Sequence, residues 1–191
     1  MSHLRLGIDP GYKNLGYALL EETSGEFKVL SAGTANPSQG PLEAFPEVLL
    51  ASLALPPHLA FDSVSIERYV AYQGVMTGDS EHILNLIGIL RAMAYVSYST
   101  LPHLYRAIDW KTFLVKALFK RRGFRNPSES LDKKFSLAAA ACILSPIGTP
   151  TKEAVANLSN LGVKNDHEAD AVCIAAIPFY EDKAGTKTSG G

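Results

Sequence analysis

Hydrophobic and polar positions alternate most cleanly near the N-terminus. Leu4, Leu6 and Ile8 fall on one face of a period-2 strand, and Arg5, Gly7 and Asp9 on the other. Pro10-Gly11 ends this strand, and Leu15 to Leu20 reads as its hairpin partner. Residues 27–34 make a third strand. The stretch FDSVSIERY repeats the first pattern, with Val64 and Ile66 on one face and Ser63, Ser65 and Glu67 on the other. A short strand is predicted over 103–108.

Helical spacing predicts elements over 42–55, closed by Pro56-Pro57, and from Asp79 or Ser80, as cap, to about Ser97. Further helices are predicted from a cap at Asp109 to about Phe119, over 131–144, and from Asp166 to Ala176, with a short one near 151–158. The order β-β-β-α-β-α-β followed by helices predicts a mixed five-stranded sheet covered by helices. A single domain over 1–179 and a flexible tail over 180–191 are expected. The helix HILNLIGILRAMAYV (82–96) is apolar nearly all round, which calls for a second burial partner, within the domain or on another subunit.

Composition adds little: 47% hydrophobic and 19% charged residues describe an ordinary globular chain. No signal-peptide core, transit pattern or bilayer-spanning run is visible, which predicts an intracellular, cytoplasmic protein with no membrane partner. Cys142 and Cys173 lie in Ala-rich surroundings and read as buried thiols. Charge changes the picture locally. Eight basic residues lie between Lys111 and Lys134, opposed only by Glu129 and Asp132, in a chain of net charge −1. This is either a solvated surface or a phosphate-binding one.

Three acidic pieces carry the candidate chemistry. Asp9 and Glu67 each end a strand two positions after a very small residue, Gly7 or Ser65. On parallel neighbouring strands the two carboxylates would lie about 5 Å apart, where they repel unless a cation or proton intervenes. In NDHEADAVCIA (165–175), His167 and Asp170 share one helix face. Asp166 reads as an N-cap and Glu168 as a solvated residue pointing away from Asp170. Each piece alone is ordinary turn or cap chemistry. Together they form an oxygen-rich set with one imidazole, suited to Mg²⁺ and tolerant of Mn²⁺. Two such ions would clamp a phosphodiester, one activating water and the other stabilising the leaving oxygen.

The runs GIDPGYKNLGYALLE, VSIER and HEADAVCIA, in this order, resemble those of the RuvC-like Holliday junction resolvases of the RNase H-like superfamily. The resemblance spans about residues 4–177. It implies an RNase H-like α/β fold and a catalytic and metal-binding set of Asp9, Glu67, His167 and Asp170 holding two divalent ions. It further implies a homodimer with the long helix at or near its interface, acting on four-way DNA junctions by paired symmetric nicks in recombination and repair. Lys111 and Lys133 match lysines that help bind junction phosphates in that family. Lys116, Arg121, Arg122, Arg125 and Lys134 extend the basic stretch. Tyr69 and Tyr72 flank Val70, where the family usually carries an aromatic that pries at bases. The stretches FKRRGFRNPSESLDKKF and 145–165 are longer than the family pattern. No motif specifies a branch-migration helicase as partner.

Three other readings compete. An RNA:DNA hybrid nuclease, another branched-DNA nuclease or a YqgF-like relative would share the fold. A sugar kinase or actin-like ATPase opens with a similar Asp-x-Gly hairpin but needs two such domains, more than 191 residues supply. A non-catalytic DNA-binding relative would keep the fold without the metals, yet would bear the cost of unused buried carboxylates.

Overall fold

The computed structural model describes residues 2–40, 61–70, 78–119, 133–145 and 151–185. Strand β1 (Ser2–Asp9) pairs antiparallel with β2 (Leu15–Thr23), which pairs antiparallel with β3 (Glu26–Ala35). Ser24 and Gly25 turn the β2–β3 hairpin with positive φ at both positions, 55° and 88°. Strand β4 (Ser63–Arg68) runs parallel to β1, and β5 (His103–Arg106) parallel to β4. The sheet order is β3-β2-β1-β4-β5, the mixed five-stranded sheet expected.

The alternation along β1 and β2 sorts two cores onto the two faces. Leu6, Ile8, Leu15, Tyr17, Leu19, Val64 and Ile66 face the long helix α1 (Gly78–Tyr98), burying Leu86, Ile87, Leu90, Met93 and Ala94 with them. Ala18 and Leu20 point to the other face. There α2 (Ala107–Leu114), α3 (Lys133–Leu144) and α5 (Asp166–Gly185) make the larger core, flanked by the short α4 (Lys152–Ala156). Cys142 and Cys173 are thiols buried in it, as expected. No helix among the described residues is long and apolar enough to cross a membrane.

Four local expectations are corrected. Helix α2 starts at Ala107, so β5 ends at Arg106 and Asp109 lies inside the first turn rather than at the cap. There its carboxylate takes two hydrogen bonds from the Arg106 guanidinium, at 2.6 and 2.8 Å, and Arg106 occupies the N-cap position. After Leu114 the chain widens into a π-helical turn over Val115–Phe119. Helix α5 runs past Pro178 to Gly185, so residues 180–185 of the expected tail are helical. Pro178 is a stop signal by its missing N–H. Phe179 packing edge-on to Phe27 at 5.0 Å rewards continuing the helix. The helix predicted over 42–55, and residues 186–191, lie outside the described residues.

The fourth correction concerns the start of α5. Asn165, not Asp166, makes the capping bond: its Oδ1 accepts from the Glu168 N–H at 3.0 Å. Glu168 is not solvated but 4% exposed. It reaches back to take hydrogen bonds from the Lys164 N–H, Asn165 Nδ2 and Thr34 Oγ1. This is a variant of the capping box, with Glu168 bonding the N–H of Lys164, one residue before the cap, and it leaves Asp166 in the first turn beside the positive end of the helix.

Candidate active site

Two glycines let α5 lie directly on the sheet. A Cβ on Gly7 would stand 2.0 Å from the Ala171 carbonyl oxygen, and one on Gly16 2.2 Å from that of His167. Gly7 shares a strand face with Asp9, and Gly16 is the β2 partner of Asp9. The glycine-lined face therefore sets the first turns of α5 against the end of β1. His167 Nδ1 lies 2.9 Å from Asp9 Oδ2 as a result.

Glu67 reaches the same place from β4. The parallel register pairs Gly7 with Ser65 and Ile8 with Ile66, so Asp9 and Glu67 emerge next, side by side. Ser65 is fully buried beneath them. Glu67 Oε2 accepts from the Trp110 indole N–H at 2.8 Å. Asp170 Oδ1 accepts from the Ser136 hydroxyl, and the Lys111 ammonium lies 3.9 Å from its Oδ2. The four residues singled out as the catalytic set thus gather at one end of the sheet.

The electrostatics follow from crowding anions in a half-buried place. Burial, then the charge on Asp9, push the Glu67 carboxyl up to about 7, against the opposing Trp110 hydrogen bond. Burial pushes Asp170 up to about 6, helped by Asp9 and opposed by Lys111 and Ser136. The His167 imidazole is raised, chiefly by its hydrogen bond to Asp9. Among the described residues no group of three or more His, Cys, Asp or Glu side chains is gathered so as to hold an ion as it stands. Each donor is instead engaged by a protein group. The donor chemistry nevertheless fits a hard divalent cation: three carboxylates and an imidazole, their excess negative charge met by Lys111 and by protons.

The predicted DNA-contacting residues divide. Lys111 is 13% exposed by side chain and sits inside the site. Lys116 is exposed on the π-helical turn. Tyr69 is half-buried, its hydroxyl 2.7 Å from Ser80 Oγ on α1. Lys133 and Lys134 lie in the first turn of α3. Arg121, Arg122, Arg125 and Tyr72 lie outside the described residues.

Three residues at the site were missed from sequence. Trp110 and Ser136 support the carboxylates through contacts between elements, and only Trp110's place beside Lys111 hints at it. Tyr12, in the turn after Asp9, stacks on His82 of α1 with ring centroids 4.5 Å apart and planes at 10°. Through these rings and the Tyr69–Ser80 bond, α1 touches the chain just beyond both strand-end carboxylates.

No family model and no curated protein matches the sequence. Solved structures do match. Thermus thermophilus RuvC in complex with Holliday junction substrate aligns at TM-score 0.58 and 18% identity, over 97% of each chain. Fowlpox virus resolvase with substrate Holliday junction DNA aligns at TM-score 0.53 and 17% identity, over 94% of this chain and 98% of that one. The yeast mitochondrial Holliday junction resolvase aligns at TM-score 0.52 and 15% identity, over 96% of this chain and 81% of that one. The chain has the RNase H-like fold of the RuvC-type Holliday junction resolvases.

Proposed function

We propose that this protein is a divalent-metal-dependent endonuclease that resolves four-way DNA junctions as a homodimer. One observation carries the reading. Asp9, Glu67, His167 and Asp170, from three segments far apart in sequence, meet at one end of a sheet whose fold is that of junction resolvases.

Asp9, Glu67 and Asp170 would hold Mg²⁺ or Mn²⁺, with His167 beside them. Divalent ions held there would supply Lewis-acid stabilisation for hydrolysis of a phosphodiester. The chain's own groups do the rest. Lys111, between Asp170 and the Trp110 ring, offers an ammonium to a phosphate oxygen. His167 holds or passes a proton at Nδ1 against Asp9 Oδ2. Phosphate contacts along the 111–134 stretch supply affinity independent of sequence.

The second subunit is supported by α1. Its inner face is buried, yet Leu84, Tyr95 and Val96 are 43%, 60% and 80% exposed on the same helix, and Leu101 just beyond it 72%. A second copy apposed there by a two-fold axis would cover this stripe and present two active sites to two strands of a junction.

The test is cleavage of a labelled synthetic four-way junction, a matched duplex and an RNA:DNA hybrid, with Mg²⁺ or Mn²⁺. Paired symmetric nicks in the junction alone are expected. Asp9→Asn should reduce them by about a hundredfold or more while leaving junction binding in place. Cleavage of the hybrid instead would move the substrate to RNA:DNA. Equal loss of binding and cleavage in the variant would refute the assignment of Asp9.

A further inference from the structure

Behind the carboxylates stand two buried donors. Trp110, the one tryptophan of the chain, is 1% exposed on α2. Its ring packs near Phe135, with centroids 6.3 Å apart, and the Lys111 ammonium lies 4.9 Å from its own centroid. An indole has a single N–H and no acceptor, so at this depth it must spend that donor on one partner. The partner is Glu67 Oε2 at 2.8 Å. Ser136, also 1% exposed, does the same from α3 toward Asp170 Oδ1.

A phenyl ring would fill the core at 110 without a polar atom to satisfy. Placing an indole there is neutral only while the acceptor stays in place, because an orphaned buried N–H bears its full desolvation cost. The bond also does something to the acceptor. A carboxylate tied at one oxygen loses its free rotation, and the other oxygen is held in a set direction. Glu67 and Asp170 are treated alike in this respect, by donors on different helices, with the second oxygen of Asp170 facing Lys111.

We propose that Trp110 is a positioning residue for the metal site: its indole N–H binds Glu67 Oε2 and so orients Oε1 toward a divalent cation, as Ser136 orients Oδ2 of Asp170. The inference rests on the metal-binding reading above. Groups that orient metal ligands in this way are worth about 10- to 100-fold in metal affinity or activity.

The experiment is calorimetric titration of the full chain with Mn²⁺ alone, for wild type, Trp110→Phe and Ser136→Ala, each checked for an unchanged melting profile. Trp110→Phe should weaken Mn²⁺ binding about 10- to 100-fold, and Ser136→Ala should weaken it in the same direction. Junction cleavage by both variants should fall at limiting Mn²⁺ and recover as Mn²⁺ is raised. Wild type carries its own second readout. Trp110 is the sole indole, so Mg²⁺ should shift its fluorescence, and Glu67→Ala should abolish the shift. If Trp110→Phe fails to fold, Ser136→Ala and the fluorescence decide. A wild type that binds Mn²⁺ while the variants bind it equally, or while the Trp110 emission stays unmoved, overturns the positioning role alone. A wild type that binds no Mn²⁺ overturns the metal site and this role together.

Discussion

Glu67, Asp170 and His167 all take up protons more readily in the fold than they do in an unfolded chain. For the two carboxyls this reverses the usual direction. Between their ordinary range near 4 and the values of about 7 and about 6, the folded chain binds more protons than the unfolded one. Stability therefore falls as pH rises through that window. His167 acts in the same direction, because its raised value favours the fold below its ordinary titration and loses that advantage above it. The metal-free protein should melt at lower temperature at pH 8 than at pH 5.5, once other groups are controlled by the Asp170→Asn variant. Mg²⁺ should raise the melting temperature more at pH 8. Equal Mg²⁺ effects at both pH values would contradict this account. These residues were legible in the sequence because strand alternation and helical spacing fix which face a side chain takes. Glu168 was misread on the same logic. The helical wheel pointed it away from Asp170 correctly, but the Asn165-x-x-Glu168 capping pattern, which buries it, outweighs a surface assignment.

Helix α5 shows how one element makes the site. Its small residues Ala171 and Ala175 lie on Gly7, while His167 lies on Gly16, and this contact sets the distance from His167 to Asp9. Gly7→Ala would press a methyl into the Ala171 carbonyl, a backbone atom that cannot step aside. The variant should lose about 1–3 kcal/mol by denaturant unfolding and lose junction cleavage beyond that. A variant as stable and active as wild type would mean that α5 can lift off the sheet without consequence. The element's start was readable from its acidic first turn. Its end was not, because Phe179 on Phe27 is a contact between remote segments and carries no local signal past Pro178. The same holds for Trp110 and Ser136, whose roles exist only once α2 and α3 dock.

For the whole molecule, the order of elements along the chain and the mixed sheet were legible from periodicity and strand count, since a β-hairpin meander followed by alternating strands and helices leaves few topologies; the spatial order β3-β2-β1-β4-β5 comes from the structure. Assembly is where sequence and fold meet a test. The exposed stripe of α1 should be covered in a dimer, so Val96→Asp should shift the protein from dimer to monomer in analytical ultracentrifugation. Paired nicking should then decay to single, uncoupled nicks. A wild type that sediments as a monomer would remove the second subunit from the account.

The bond between His167 and Asp9 joins residues 158 positions apart. During synthesis, Asp9 and Glu67 emerge early, while His167 and Asp170 arrive with the last helix. Until that helix docks, half of the donor set is missing and the glycine face of the sheet is bare. A polypeptide still being made therefore carries no assembled donor set, and the four side chains come together only when the chain has closed on itself. In the junction-cutting role proposed above, the order of the chain's own residues would withhold cutting until the fold is complete.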